Sequence, residues 1–382
     1  MTDLDSVIQY LIENGPSKAK KIAKFLNIDR SELNSKLHSA LKSKSIEGLN
    51  QNEKSEWEVN YASSIKIIFD HPAKWLEAIH IEKKLQECPD LFKTKNPIEF
   101  DFLDKSIFLD CILKVLSIIN QLASIGLNIT IKFNRNSQGF SYLQRCGFFD
   151  RISPKVTILP YRPSGSLATV YQANSGNLLE IFPITETYDS SILPRISALI
   201  KNKLSDEDST IFLPKLRTLI SELISNIRDH GLSEIEGYVS LQTYNNSGKI
   251  IIAISDSGSG LIHTIRNEAL QYEYNNPDLQ DFLEPNLTND IKLLGHVFNK
   301  GRISRTGENR RGLGLSKSSK ALKELSNNKV KTIRLSIRQQ DNELVFPFNV
   351  EGVDTESCKP KKNLLNIMGT HYVLTIELDN LE

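Results

Sequence analysis

Four short segments carry residue types whose spacing could do chemistry together. In the first, Glu222-Leu-Ile-Ser-Asn226, the two polar residues stand four apart and would project from one face of a helix. Asn226 offers a neutral amide oxygen, suited to a magnesium ion that keeps most of its waters. Glu222, one turn away, is placed to accept a proton from a water attacking a γ-phosphate. Taken alone, such a pair on a helix is usually just solvated. The second segment, Asp256-Ser257-Gly258-Ser259-Gly260, closes the apolar run 250–255. A carboxylate just past a buried strand accepts hydrogen bonds, and the adenine amino group donates them. The glycines let the backbone turn tightly and approach the ring, although an ordinary Asp-Gly turn would read the same way. The third runs Gly307-Glu308-Asn309-Arg310-Arg311-Gly312-Leu313-Gly314-Leu315-Ser316. A glycine-rich loop opening a helix presents N–H groups and a positive dipole end to phosphate. Lys300, Arg302, Arg305, Arg310 and Arg311 lie in the same stretch with Glu308 as the opposing acid. Without the other segments it would read as a basic surface loop. The fourth is Gly369-Thr370, whose hydroxyl could reach such a site.

In order and spacing these segments resemble the asparagine box, the first and second glycine boxes and the final Gly-Thr element of the GHKL (Bergerat-fold) ATPases, the group of the histidine kinases, gyrase and the large heat-shock chaperones. The resemblance spans roughly residues 213–378. It implies ATP and Mg2+ as ligands, with Asn226 on the metal and Asp256 on adenine. It further implies that Gly258, Gly260, Gly312 and Gly314 line the pocket and that Thr370 supports it. Asp229 and His230 occupy positions that in the family line the phosphate and ribose end. The segment 265–311, polar and holding Pro277 and Pro285, would be a lid. It buries too little apolar surface to hold one shape unaided, and Lys300, Arg302, Arg310 and Arg311 would converge on the triphosphate as it closes.

These segments need a scaffold, and the hydrophobic patterning predicts an α/β multidomain protein. Residues 156–382 read as a two-layer α/β sandwich. Its expected elements are a helix over 211–230, a hairpin of 238–243 and 249–255 about Asn245-Asn246-Ser247-Gly248, a second hairpin of 331–338 and 343–349, a helix from about Gly314, and a last strand over 370–378. Residues 61–155 alternate strands (64–69, 97–102, 127–133) with helices (109–123, 137–146), which suggests a small α/β domain. The stretch 98–152, ending Tyr142-Leu143-Gln144-Arg145-Cys146-Gly147-Phe148-Phe149-Asp150, resembles the STAS-like domains that precede GHKL ATPases in bacterial regulators. STAS antagonists carry a phosphorylatable serine where this chain has Leu109-Asp110-Cys111, so the resemblance implies a scaffold. Residues 1–60 read as three helices and a short hairpin (46–49 with 57–59), the winged form of the helix-turn-helix.

That first unit is the basic one. Between Lys18 and Lys44 it holds eight basic residues, Lys20, Lys21 and Lys36 among them, against two acidic ones, a balance of +6 that suits a phosphate backbone. The spacing Asn34-Ser-Lys36-Leu-His38, with Trp57 in the wing, distantly resembles the Z-nucleic-acid-binding winged helices. His38 stands in place of their tyrosine, so left-handed specificity does not follow. A winged helix used for protein contacts is the bland alternative. Over the whole chain charge is balanced, with 47 Lys and Arg against 46 Asp and Glu. Cys88, Cys111, Cys146 and Cys358 lack metal-ligand spacing and read as reduced thiols of a cytoplasmic protein. The acidic amino terminus lacks the pattern of a signal peptide, and no apolar run suggests a membrane span.

Two functions follow. One is a Mg-dependent ATPase that couples nucleotide state to nucleic-acid binding in a regulatory or defence role. The other is a serine or histidine protein kinase of anti-sigma type acting on a partner protein. The two-domain GHKL machines are disfavoured because little chain follows the last strand, and His80 reads as structural rather than as a phosphoacceptor. A partner protein and a homodimer both stay open.

Overall fold

The computed structural model describes residues 4–46, 48–59, 64–134, 137–171, 176–185, 189, 191–230, 233–269, 282, 284–299, 330–349 and 352–379. The chain begins with α1 (Leu4–Asn14), α2 (Ala19–Leu26) and α3 (Arg30–Ser43), followed by the antiparallel pair β1 (Leu49–Gln51) and β2 (Trp57–Val59). Asp29 starts α3 by accepting the Glu32 N–H at 2.8 Å. Val7, Leu11, Ile22, Leu33, Leu37 and Trp57 close a core of their own. The first hairpin strand lies at Leu49–Gln51 rather than 46–49, because Gly48 takes φ +75° and turns the chain just before it.

Next come β3 (Ile65–Ile68), β4 (Trp75–Leu76), α4 (Ala78–Gln86), β5 (Ile98–Asp101), β6 (Ser106–Ile107), α5 (Leu109–Ser124), β7 (Ile129–Lys132), α6 (Gln138–Cys146), α7 (Phe148–Arg151) and β8 (Thr157–Leu159). Strands β3, β5, β7 and β8 form a parallel sheet in that order, with β4 and β6 as a small ladder beside it. The fourth strand ends at Leu159, so the unit runs past the expected boundary at 155. Ile67, Phe100, Ile131 and Ile158 face the helices, while Lys66, Glu99, Thr130 and Lys132 alternate with them onto the other, more polar face. Parallel sheets are usually covered on both faces; here the helical cover lies on the apolar one.

The remainder is α8 (Leu167–Tyr171), β9 (Leu178–Ile184), α9 (Ile192–Lys201), α10 (Asp206–His230), β10 (Gly237–Tyr244), β11 (Lys249–Ser255), α11 (Leu261–Thr264) running into a π turn, α12 (Leu287–Asn299), β12 (Val330–Gln340), β13 (Asn342–Asn349), β14 (Gly352–Val353), β15 (Lys359–Lys361) and β16 (Ile367–Leu378). Its sheet is antiparallel, in the order β14-β13-β12-β16-β11-β10-β9, with β15 beside β13. Both expected hairpins are present, in the registers Tyr238↔Ser255 and Arg338↔Glu343. Strand β9 and helix α9, which the sequence reading did not pick out, also belong here. Pro183 weakens the strand signal of β9, and an edge strand can accommodate it. The helix expected near Gly314 lies outside the described residues.

One face of this sheet presents Val239, Leu241, Ile250, Ile252 and Ile254 to Leu219, Leu223 and Ile227 of α10 and to Leu293 and Phe298 of α12. The opposite face does not meet solvent. Ile181, Tyr238, Ala253 and Ile367 share a core with α5, α6 and α7. Helix α5 is therefore packed between the two sheets, and 64–159 and 176–379 meet across a common interior rather than as separate lobes. Buried charges cross the same seam. Lys114 Nζ and Arg338 Nε lie 2.7 Å and 3.0 Å from Glu82 Oε1, and the two cations hold the Glu82 carboxyl down at about 2 despite its burial. Among the described residues, no helix is long and apolar enough to cross a membrane.

Candidate functional site

Strand β11 hands the chain to α11 through Asp256–Gly260, and that handover builds the site. Asp256 continues the alternation of Ile252 and Ile254, so it belongs to the sheet face that α10 covers. The residue is 7 % exposed, and two backbone donors hold its carboxylate. Gly258 N–H donates to Oδ1 at 2.7 Å and Thr370 N–H to Oδ2 at 3.2 Å. Burial pushes the carboxyl up to about 6, against the opposing pull of those two N–H groups.

Two glycines make this arrangement possible. Gly369, at φ +77°, passes so close to Asp256 that a Cβ there would stand 2.1 Å from the Asp256 carbonyl oxygen. Gly260, at φ +87°, frees the chain to enter α11. The Thr370 hydroxyl accepts the Leu261 N–H at 2.9 Å, and the Gln339 side-chain oxygen accepts that of Ile262 at 3.2 Å. The first two orphan donors of α11 are thus capped from neighbouring strands. Gln339 is a site residue that sequence reading missed. Among the described residues its buried side-chain nitrogen meets no hydrogen-bond partner.

Asn226 and Glu222 are half-buried on α10, at the flank of the stripe formed by Leu216, Leu219, Leu223 and Ile227. Helix α10 packs on β10 and β11 and touches α11, so both residues belong to the layer that covers Asp256. Asp256, Gly258 and Thr370 are brought into direct contact, Gly260 lies beside Gly369, and α10 lies over the same sheet face. Asp229 and His230 form the last turn of α10, with their side chains outside the described residues. Lys300, Arg302, Arg310, Arg311, Gly312 and Gly314 also lie outside them, as do 270–281 and 300–311 of the expected lid. Between those stretches the lid expectation is corrected, because α12 buries Leu293, Leu294 and Phe298 in the main core. Among the described residues no cluster of His, Cys, Asp and Glu could hold a metal by itself. A magnesium ion bound through one amide and phosphate oxygens would leave no such cluster.

The opposite sheet face directly behind the site is also polar. Ser255 Oγ meets His371 Nδ1 at 2.7 Å, and burial, with Lys114 and Arg338 nearby, keeps that imidazole neutral. Ser257 reaches α5, where its hydroxyl lies 2.9 Å from Ser117 Oγ. These partners too were missed, although Lys114, Ser117 and Gln121 stand at i, i+3 and i+7 as a polar stripe on a mostly apolar helix.

In the amino-terminal unit Lys20 and Lys21 are exposed on α2, and His38 is exposed on α3. Lys36 pairs with Glu32 at 2.7 Å near the surface, a contact of the kind worth little in water. Trp57 requires a correction. It is 0 % exposed, packed into the core, and its indole N–H donates to Asn34 Oδ1 at 3.2 Å. His38 leans edge-on against it at 4.7 Å between ring centroids. Trp57 therefore cannot touch a partner directly; it orients Asn34 and His38 from below. His80, read as structural, caps α4 by accepting the Glu77 N–H and stacks on His71 at 3.7 Å.

A scan against protein-family models finds no match, and a search of curated proteins finds none.

Proposed function

We propose that this protein is a Mg-dependent, GHKL-type ATPase that couples its nucleotide state to nucleic-acid binding through an amino-terminal winged helix, as a cytoplasmic regulator or defence protein. In this reading the parallel α/β unit is a STAS-like scaffold. One observation carries it. The buried Asp256 carboxylate closes β11 on the sheet face that α10, with Glu222 and Asn226, covers, and Gly258 and Thr370, from segments far apart in the chain, clasp it. An acceptor held this rigidly in a dry site suits the adenine amino group. Asn226 would take the magnesium ion and Glu222 would activate water. The exposed cations of α2, Lys20 and Lys21 with Lys24, would face a phosphate backbone.

Incubation of the full chain with γ-labelled ATP tests the proposal. Release of free labelled phosphate is expected. Label transferred to a protein would replace hydrolysis with kinase chemistry, and no ATP binding at all would end both readings.

The Asp256 carboxyl gives the proposal a pH signature. The adenine amino group donates best to the ionised form, so affinity should be full above about pH 7 and fall as pH drops through about 6. The sign for folding is opposite. A carboxyl with a folded value near 6 and an ordinary value of 3.8 binds its proton more tightly in the native state. Ligand-free stability from this group is therefore present below the unfolded value and lost as pH rises through the folded one. Isothermal titration with a non-hydrolysable ATP analogue across this range is the measurement. An affinity that stays flat, or that Asp256→Asn leaves equally pH-dependent, would remove Asp256 from the adenine site.

A further inference from the structure

Helix α5 belongs to the parallel α/β unit, yet one of its side chains grips both chain segments that build the candidate site. Gln121 is 0 % exposed. Its amide nitrogen lies 3.1 Å from Ser257 Oγ, 3.0 Å from the Met368 carbonyl oxygen and 3.0 Å from Ser117 Oγ. Its amide oxygen accepts the Met368 N–H at 3.2 Å. Ser257 follows Asp256, and Met368 precedes the Gly369-Thr370 pair that clasps it. The contacts therefore fall on the two strand ends whose separation decides whether Gly258 N–H and Thr370 N–H can both reach one carboxylate.

The helix that carries Gln121 is itself anchored at several points. Lys114 is ion-paired with Glu82 in the buried charge cluster, and Asn120 donates to the Arg151 carbonyl at 3.0 Å and to Tyr238 Oη at 3.2 Å. A helix anchored at Lys114 and Asn120 and packed between two sheets moves as a body rather than yielding locally. Its position is thereby transmitted to Ser257 and Met368.

We propose that Gln121 is a positioning residue for the nucleotide site, and that α5 is the element through which the parallel α/β unit holds the Asp256 loop in its binding shape. The role of the site as an adenine-nucleotide site rests on the function proposed above; the grip of Gln121 on the loop does not. Any partner that shifts α5 would reshape the loop from behind without touching nucleotide, which gives the α/β unit a regulatory function in addition to a scaffolding one.

Two measurements on the full chain test this. Gln121→Met keeps length and volume while removing both hydrogen-bonding atoms. Ser117→Ala removes one supporting hydroxyl and serves if the first variant folds poorly. In the ligand-free variants, hydrogen exchange should accelerate at the Gly258 and Thr370 amides, both bonded to Asp256, while β13 amides stay as protected as in the parent. In nucleotide titrations, ATP affinity should fall about tenfold, the scale of one or two lost buried hydrogen bonds. GTP, which lacks the amino group that Asp256 would accept, should bind the parent and the variants alike, so the preference for ATP shrinks. A purely structural role would weaken both nucleotides equally and loosen the fold broadly, and that result overturns the proposal. Unchanged exchange at Gly258 and Thr370 overturns it as well. Faster exchange at those amides in a protein that never binds ATP would keep the grip and sink the nucleotide reading instead.

Discussion

Asn226→Ala is expected to abolish magnesium-dependent ATP binding and turnover. The residue lies one turn from Glu222 on α10, half-buried beside the apolar stripe that fixes the helix on β10 and β11. A neutral amide oxygen can serve as a protein ligand to a magnesium ion whose charge the triphosphate already offsets, and of Glu222 and Asn226 only Asn226 offers one. Even outer-sphere substitutions at metal sites cost about 10–100-fold in affinity or activity, and loss of a direct ligand should exceed that. Magnesium dependence separates this role from general damage. The variant should bind nucleotide equally weakly with and without the ion, while its thermal unfolding stays close to the parent's because Asn226 is at the edge of the packed stripe. An Asn226→Ala protein with full activity would remove the centre of the proposal.

Glu222→Gln should separate chemistry from binding. The substitution keeps shape and hydrogen-bonding reach but cannot take a proton, so nucleotide affinity should stay within a few-fold while hydrolysis falls by roughly 10²-fold or more, the usual scale for a missing general base. Single-turnover measurements with bound ATP isolate the chemical step from product release. If affinity collapses and the turnover rate is untouched, Glu222 binds rather than catalyses, and the water must be activated elsewhere.

Much of the local architecture was legible in the residues. The hairpin of β10 and β11 is marked by two apolar runs around a polar turn, and its strands fall within a residue or two of the expected bounds. Helices α2, α3, α5 and α6 are marked by apolar faces at helical spacing, and β3, β5 and β7 by short β-branched and aromatic runs. Where the reading failed, a competing local signal had the upper hand. Pro183 hid β9, and the polar residues of α4 hid a helix whose buried face includes a charged Glu82. The strand β8, only three residues long, carried too little pattern to move the boundary at 155.

Composition and periodicity, being properties of neighbours along the chain, determined which segments are helix or strand and which short motifs could hold phosphate, metal or base. They could not determine what lies behind a motif, because that depends on residues more than a hundred positions away. Trp57 reads in sequence as a wing residue of the nucleic-acid surface, yet the closing of three helices around it makes it core. Gln121 reads as one of several polar residues in a mostly apolar helix, and only the packing of α5 between two sheets brings it to Ser257 and Met368. Glu82, Lys114 and Arg338 come from three distant segments, and burial makes them a cluster, since charges in a low-dielectric interior need partners that the chain near them does not provide. Long-range pairing of strands, above all β11 against β16 in the register Ser255↔His371, is what places Thr370 on Asp256.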